Sequence, residues 1–306
     1  MNAQLIDLQK IWDRAAHNAL TDLVRFQNRW YCVFREGTNH ISPDGRIRIL
    51  VSGDGITWGS IASIEIAGLD LRDPKITITP SGWLMLNACA AFSPSSSQRH
   101  QSMVWFSTNG IDWSAPVNIC DSNYWMWRIT WHKGVSYGIA YSTVEPLRTR
   151  LYSSCDGVSF KLVMDDFFFE DFPNEATIVF QKDDAALCLL RRDAGKATAM
   201  LGCAEFPYQQ WIWKDLGVRI GGPNMLMLPD GRIVAAVRRY GENPWTSLSW
   251  LEPIDGDLRE FLPLPSGGDT GYAGLSWHED MLWVSYYSSH EQRTGIYLAK
   301  VKVPVA

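Results

Sequence analysis

Short runs of apolar residues recur along the whole chain and are separated by polar segments rich in glycine, proline, asparagine and aspartate. Residues 30–34 (WYCVF) and 186–190 (ALCLL) are typical runs, and each is shorter than a buried helix would need. Turn-forming segments such as 80–82 (PSG) and 229–231 (PDG) stand just before further apolar runs. The pattern therefore predicts strands joined by tight turns over most of the sequence.

A heptad recurs three times within this pattern. It reads SGDGITW at 52–58, STNGIDW at 107–113 and SCDGVSF at 154–160, so the starts lie 55 and 47 residues apart. Each copy places Asp-Gly or Asn-Gly where a tight turn needs a positive φ, and each ends on an aromatic residue. A turn that returns every ~50 residues is typical of a repeat architecture. The heptad predicts a fold and carries no catalytic information.

The predicted strands fall into six groups, each of which opens with a strand that begins near a polar residue or a tyrosine. These markers are Asp22, Asp73, Arg128, Glu175, Asn224 and Tyr272. Successive markers lie 51, 55, 47, 49 and 48 residues apart, and a four-stranded propeller blade needs about 40–50 residues. We therefore predict an all-β, six-bladed β-propeller that occupies residues 1–306 as a single domain. The last group has only about three strands, so residues 5–11 are expected to supply a fourth and close the ring, with a short helix as the alternative.

Composition narrows the range of partners. The net charge of −5 and the pI of about 5.7 argue against binding to nucleic acid or to an anionic membrane. No apolar run approaches the ~20 residues of a membrane span, and the N-terminus lacks a signal peptide, so we expect a cytoplasmic protein. No phosphate-binding or dinucleotide-binding motif and no metal-ligand spacing occurs, so we expect no cofactor and no catalytic metal. No motif indicates the oligomeric state.

Charged residues concentrate where a propeller forms its central pit. The starts of the first strands and the ends of the second strands lie on one face of such a ring, and five arginines directly follow apolar second-strand runs. A guanidinium group matches a carboxylate with two hydrogen bonds, and clustered cations repel one another unless anions compensate. The sequence therefore predicts a ligand that bears a carboxylate, with internal pairing to Glu175, Asp73 and Glu36 as the alternative.

Four segments resemble the catalytic blades of the sialidase family in order and in blade assignment. They are residues 173–178 (PNEATI), 187–195 (LCLLRRDAG), 227–239 (MLPDGRIVAAVRR) and 268–276 (GDTGYAGLS). In sialidases a glutamate on the fourth blade precedes an arginine of the carboxylate-binding triad by about 16 residues, as the first two segments do here. The heptads are similar to the Asp box of the sialidase-like propellers, although they are one residue shorter than its usual spacing.

The resemblance implies an exo-acting retaining glycosidase that releases a terminal 2-keto sugar acid, such as sialic acid, from a small molecule or glycan. Tyr272 would be the nucleophile and Glu175 its base, because sialidases use a tyrosine where most glycosidases use a carboxylate. A neutral phenol approaches an anomeric carbon that bears a carboxylate without charge repulsion, but its pKa near 10 makes a base necessary. The predicted substrate-binding residues are Arg35, Arg72, Asp73, Arg191, Arg192, Arg238, Arg239 and Tyr240.

The first of the six predicted blades departs from the family pattern. Residues 17–22 (HNALTD) contain no arginine where sialidases place the first arginine of the triad, and Arg72 is the candidate that could replace it. The general acid is expected in the loop after Arg35, where the candidates are Asp44, His40 and Glu36.

Two other functions remain open from the sequence. One is a non-catalytic propeller that binds a sugar acid or a partner, since a fold does not determine a function. The other is a glycosidase that acts on pentose or fructose units. The six predicted blades and the set of arginines argue against this second alternative.

Overall fold

The computed structural model describes residues 3–304, and within that range it contains 24 strands and no helix. The strands form six four-stranded antiparallel sheets arranged as the blades of a β-propeller. This confirms the predicted fold class. No helix within residues 3–304 has the length and hydropathy that a membrane crossing would require.

The strand bounds define the blades. The chain begins with β1 (Gln4–Trp12). Blade I consists of β2 (His17–Phe26), β3 (Arg29–Gly37), β4 (Arg46–Ser52) and β5 (Gly59–Ile64), and blade II of β6 (Asp70–Ile78), β7 (Leu84–Ala91), β8 (His100–Ser107) and β9 (Val117–Asn118). Blade III consists of β10 (Tyr124–His132), β11 (Val135–Ser142), β12 (Thr149–Ser154) and β13 (Lys161–Phe168), and blade IV of β14 (Pro173–Phe180), β15 (Ala186–Arg192), β16 (Met200–Ala204) and β17 (Ile212–Asp215). Blade V consists of β18 (Ile220–Met227), β19 (Ile233–Arg239), β20 (Trp245–Glu252) and β21 (Asp257–Pro263), and blade VI contains β22 (Thr270–His278), β23 (Met281–Ser288) and β24 (Gly295–Lys302).

The N-terminal strand closes the ring. β1 pairs antiparallel with β24, from Gln4 opposite Lys302 to Trp12 opposite Ile296, and becomes the outer strand of blade VI. The expectation that residues 5–11 supply the missing strand is therefore confirmed, and the alternative of a short helix is wrong. The two ends of the chain therefore lie in one sheet, and this pairing closes the ring.

The core lies between adjacent blades and is rich in tryptophan. The rings of Trp30 in blade I and Trp283 in blade VI lie 4.3 Å apart, and Trp105 and Trp127 are almost completely buried. A buried aromatic ring removes on the order of 150–250 Å² from water, so a few rings per interface suffice to join blades that share no hydrogen-bonded strands.

The three heptads form the same turn. Oδ1 of Asp54 accepts hydrogen bonds from the backbone N–H groups of Ile56 and Thr57, both at 2.8 Å, while the Gly55 N–H donates to Ser52 Oγ at 2.8 Å. The second and third copies repeat these bonds, with Asn109 accepting through its amide oxygen. Each turn follows the third strand of its blade, at the end of the sheet opposite to the last residues of the second strand. The heptads therefore lie on the face away from the pit.

Two glycines in the first heptad make a matched test of this turn. Gly55 has a φ of 72°, and a Cβ there would lie 2.5 Å from the ring of Trp283, whereas a Cβ on Gly53 would meet nothing within 4 Å. We expect Gly55→Ala to lower the free energy of unfolding by about 2 kcal/mol, from backbone strain and the clash, and Gly53→Ala to change it by less than about 0.5 kcal/mol. Urea unfolding of both variants measures this. Equal effects would contradict the role assigned to the turn.

Candidate active site

A β-bulge lies near the start of the inner strand of every blade. The pairing with the second strand shifts between Ala19 and Asp22, Arg72 and Lys75, Met126 and Ile129, Pro173 and Ala176, Gly221 and Asn224, and Gly271 and Gly274. At three bulges a residue other than glycine has a positive φ, which is 66° for Leu20, 50° for Asp73 and 53° for Tyr272. Bulges re-aim side chains, and strained φ values outside glycine cluster at functional sites. The bulges of blades II, IV and VI thereby bring Asp73, Glu175 and Tyr272 to the central cavity.

The pit is a cavity of about 290 Å³ on this face of the ring. Its polar lining is His40, Arg72, Asp73, His100, Glu175 and Tyr272. Aromatic and apolar side chains form most of the remaining wall, where the rings of Trp125 and Tyr141 stack with their centres 5.8 Å apart. The cavity has room for roughly one sugar residue and its substituents, the lower end of ordinary ligand pockets.

Tyr272, Glu175 and Arg191 form a closed triangle of hydrogen bonds in the pit. The Tyr272 hydroxyl donates to Glu175 Oε1 at 2.7 Å. Arg191 Nη1 donates to the same Oε1 at 2.7 Å and to the Tyr272 hydroxyl oxygen at 3.1 Å. Burial, and then the neighbouring carboxylate of Glu175, raise the pKa of the Tyr272 hydroxyl well above its ordinary value. The phenol is therefore neutral at physiological pH, and Glu175 is placed to accept its proton.

Blade V supplies a backbone donor to the same carboxylate. The Gly222 N–H donates to Glu175 Oε2 at 2.7 Å, so both carboxylate oxygens are held. Gly222 has a φ of 56°, and a Cβ there would lie 2.8 Å from the ring of Tyr272. Glycine at this bulge thus allows the tyrosine ring to lie directly against the backbone of the neighbouring blade.

Arg238 lies on the other side of Tyr272. Its guanidinium carbon is 4.9 Å from the centre of the Tyr272 ring, and its Nη2 donates to the Tyr287 hydroxyl at 2.7 Å and to Asp269 Oδ1 at 3.2 Å. Arg191 and Arg238 therefore flank the tyrosine. Both arginines already have carboxylate partners, since Asp193 Oδ2 lies 2.8 Å from Arg191 Nη2.

Asp269 joins two histidines at the rim of the pit. Its Oδ2 lies 2.9 Å from His40 Nδ1 and 3.1 Å from His17 Nε2, while its Oδ1 accepts a hydrogen bond from the Tyr287 hydroxyl at 2.6 Å. Burial opposes ionisation, but the hydrogen bonds from His17, His40 and Tyr287 outweigh it and hold the pKa of the Asp269 carboxyl far below its usual range. Asp269 is consequently a carboxylate that orients both imidazole rings.

The same three groups are those that a metal ion would need. His17, His40 and Asp269 each offer one ligand atom, and these atoms lie within 4.8 Å of one another. Each imidazole nitrogen already stands at hydrogen-bond distance from Asp269 Oδ2, which gives the cluster a complete explanation as a hydrogen-bonded network.

Arg72 and Asp73 lie on the blade II wall. Arg72 Nη1 donates to the backbone oxygen of His40 at 2.9 Å and lies 3.4 Å from Asp70 Oδ2. Arg72 Nε and Asp73 Oδ1 are buried without a hydrogen-bond partner among residues 3–304. Burial raises the pKa of the Asp73 carboxyl despite the nearby cation of Lys75. Both residues line the pit.

One arginine of each adjacent pair contacts Tyr272, which corrects part of the predicted ligand-binding set. Consecutive residues of a strand point to opposite faces, so Arg191 and Arg238 reach the tyrosine while their neighbours do not. Arg192 is bound by Asp171 at 3.2 Å and Asp215 at 2.8 Å. Arg239 donates to the backbone oxygen of Leu258 at 2.8 Å. Arg192 and Arg239 therefore belong to the scaffold.

Arg35 is also a scaffold residue and not a ligand-binding one. Its side chain is fully buried and donates to Asp70 Oδ1 at 2.7 Å, to the Asn39 backbone oxygen at 2.9 Å and to Ser42 Oγ at 3.1 Å. Every nitrogen of its guanidinium group is thus used to fold the loop after β3.

Tyr240 lies against Arg219, whose guanidinium carbon is 4.4 Å from the ring centre. The role of Tyr240 in substrate binding stays a prediction.

The predicted general acids occupy three different environments. Glu36 accepts hydrogen bonds from Trp12, Arg46 and Arg48, which outweigh its burial and lower the pKa of its carboxyl. Asp44 accepts hydrogen bonds from the N–H and the hydroxyl of Thr38. Hydrogen bonds from Ser42 and Thr38 hold the pKa of the Asp44 carboxyl below its usual range. Both carboxylates are stabilised in the ionised form, which makes them poor proton donors. Of the three candidates, only His40 lines the pit with Tyr272.

Asp269 and His17 belong to the site but were not predicted from the sequence. Asp269 stands three positions before Tyr272, in a segment that was recognised only for its tyrosine. His17 lies in the segment that was noted for its missing arginine. Its partner Asp269 is 252 residues away in the chain, and no local pattern reports such a contact.

Comparisons of the fold show which known structures this chain resembles. No family model and no curated protein matches the sequence. A protein of unknown function from Dyadobacter fermentans superposes with a TM-score of 0.84 at 18% identity, covering 99% of this chain and 100% of that chain. The α-L-arabinanase of Penicillium chrysogenum, in complex with arabinobiose, gives 0.74 at 13% identity, covering 96% and 98%. Trypanosoma rangeli sialidase, in complex with the inhibitor DANA, gives 0.68 at 11% identity, covering 94% of this chain and 55% of that chain.

These likenesses define a class of fold. The chain is a sialidase-like β-propeller, and its structural neighbours include glycosidases that act on different sugars. The arabinanase matches this ring over almost its whole length. The number of blades therefore does not exclude a glycosidase that acts on pentose units, contrary to the argument made from the sequence.

Proposed function

We propose that this protein is an exo-acting retaining glycosidase that releases a terminal 2-keto sugar acid. The observation that carries the proposal is the hydrogen-bonded triangle of Tyr272, Glu175 and Arg191 in the pit. A buried phenol in contact with a carboxylate base is the arrangement that a tyrosine nucleophile needs. The small volume of the pit suits one terminal sugar, which supports exo action.

The proposed reaction begins with attack of the Tyr272 oxygen on the anomeric carbon. The phenolic proton passes to Glu175 Oε1, which lies 2.7 Å away. Arg191 contacts both atoms and stabilises the negative charge that moves from the carboxylate to the phenol oxygen. The resulting bond between tyrosine and sugar is then broken by water, so that the configuration of the sugar is retained.

The carboxylate of the substrate is assigned to the space between Arg191 and Arg238. Both guanidinium groups flank Tyr272, so a carboxylate on the anomeric carbon would lie near both while the tyrosine oxygen attacks. Arg72, which also lines the pit, is the cation that would face another polar group of the sugar.

A neutral pentose is the second candidate substrate. Leu20 lies at the blade I bulge, within the segment that contains no arginine, and Arg191 and Arg238 are already paired with Glu175 and Asp269. A site whose cations are balanced internally gains less from a second anion. The higher TM-score of the arabinanase, a likeness of fold alone, is compatible with this candidate.

A panel of aryl glycosides distinguishes these possibilities. It contains the aryl ketosides of sialic acid, of its deaminated analogue and of an eight-carbon ulosonic acid, together with an aryl α-L-arabinofuranoside. Turnover of a ketoside that is lost in Tyr272→Phe supports the proposal. Turnover of the arabinofuranoside alone favours the neutral substrate. No turnover, with tight binding of a carboxylated sugar, would favour a non-catalytic binding propeller.

A further inference from the structure

The proposed reaction needs a proton for the departing aglycone, and the triangle in the pit does not supply one. Glu175 accepts the proton of Tyr272, so it is occupied when the glycosidic bond breaks. Glu36 and Asp44 are held as carboxylates by their hydrogen bonds. A proton donor must therefore come from another group at the pit, within reach of the glycosidic oxygen.

We infer that His40, positioned by Asp269, is the general acid and base of this site, an inference that rests on the proposed glycosidase function. His40 lines the same cavity as Tyr272 and Glu175. Its side chain is 46% exposed, so the leaving aglycone, which extends toward solvent, can reach it. Within residues 3–304 its Nδ1 is bound to Asp269 and its Nε2 makes no hydrogen bond.

Three contacts fix the position of His40, two to its imidazole ring and one to its backbone. Asp269 Oδ2 accepts from Nδ1 at 2.9 Å, and the His17 ring packs edge-on at 5.2 Å with an interplanar angle of 80°. Arg72 Nη1 fixes the loop by donating to the His40 backbone oxygen at 2.9 Å. With Nδ1 committed to the carboxylate, Nε2 is the atom that exchanges a proton with the substrate.

Asp269 is a positioning residue in this scheme. Its carboxylate is itself fixed by the Tyr287 hydroxyl at 2.6 Å and by Arg238 at 3.2 Å, so it cannot follow a moving imidazole. An aspartate bound to Nδ1–H sets the tautomer of a histidine and stabilises the imidazolium form. One carboxylate thereby links the acid, His40, to the arginine assigned to the substrate, Arg238.

These residues account for every proton that moves in the two steps of the reaction. When the bond between the anomeric carbon and the aglycone oxygen breaks, its electron pair stays on that oxygen, which takes the proton from His40 Nε2. The Tyr272 oxygen bonds to the anomeric carbon and its proton goes to Glu175. In the second step neutral His40 takes a proton from the attacking water, and Tyr272 leaves with the proton returned by Glu175.

A series of leaving groups tests the inference. The substrates are 2,4-dinitrophenyl, 4-nitrophenyl and phenyl ketosides of the sugar that the wild-type protein hydrolyses. For His40→Ala we expect kcat/KM to fall by about 10²–10⁴-fold on the phenyl substrate and by less than about tenfold on the dinitrophenyl substrate, whose leaving group needs no proton. Asp269→Asn should show the same dependence at smaller size, because an amide holds the imidazole in another tautomer.

A second measurement addresses the hydrolysis step. With the dinitrophenyl substrate, azide should raise kcat of His40→Ala and yield the glycosyl azide, because this nucleophile needs no base. Asp44→Asn is the control, and it should lose no more on the phenyl substrate than on the dinitrophenyl substrate. An equal loss of His40→Ala on all leaving groups, or a leaving-group dependence in Asp44→Asn instead, would overturn the inference. Neither result would affect the role of Tyr272, whereas an inactive wild-type protein would remove the proposed function itself.

Discussion

Tyr272→Phe is expected to lower kcat for the active ketoside by at least about 10³-fold while the protein stays folded. The substitution removes one oxygen atom, which accepts from Arg191 and donates to Glu175. The aromatic ring remains, so its packing against Gly222 and the edge contact with Trp127 at 5.5 Å are retained. The loss should therefore appear in kcat more than in the melting temperature. Steady-state kinetics and thermal unfolding of the same preparation measure both.

A buried tyrosine outside the pit provides the control. Tyr152 is buried and donates its hydroxyl to Asp121 at 2.6 Å on blade III. Tyr152→Phe should keep kcat within about threefold of wild type, since single hydrogen bonds of this kind contribute mainly to stability. A fluorinated ketosyl substrate should add the mass of one sugar to the peptide that contains Tyr272. Sugar on another residue, or a loss below about tenfold in Tyr272→Phe, would exclude tyrosine as the nucleophile.

The fold could be predicted because its signals are local and repeated. Each heptad specifies its own turn through bonds within seven residues, and Asp54 and Asp156 make the same contacts in different blades. Six inner strands at a nearly constant spacing then leave one regular arrangement. The closing strand was predictable for the same reason, since a blade with three strands needs a fourth.

The site could be predicted only in part, because its geometry depends on which way each side chain points. The sequence placed Arg191 and Arg192 together at the end of one strand, and alternation sends one to the pit and the other to a scaffold pair with Asp215. The contact between Asp269 and His40 spans 229 residues and exists only because the ring closes. A long-range contact of this kind leaves no periodic trace in the sequence.

Arg35→Met is expected to lower the free energy of unfolding by about 3–5 kcal/mol. Arg35 is completely buried, and its loss leaves the Asp70 carboxylate, whose side chain is only 6% exposed, without its closest cation. The remaining partners of Asp70 are the Ser42 N–H at 3.3 Å and Arg72 at 3.4 Å, both too distant to compensate. Urea unfolding with an unchanged m-value would report this as a loss of stability.

A double-mutant cycle separates the scaffold role from a role in ligand binding. Asp70→Asn in the Arg35→Met background removes the unpaired charge, so the double variant should recover about 1–3 kcal/mol relative to Arg35→Met alone. If Arg35 instead bound the substrate carboxylate, Arg35→Met would raise KM for a ketoside strongly and leave the unfolding free energy nearly unchanged. The contrast matters because Arg35, Arg191 and Arg238 look equivalent in sequence, each following an apolar strand. Burial and pairing assign Arg35 to the loop that carries His40, and its effect on catalysis should therefore be exerted through the position of that loop.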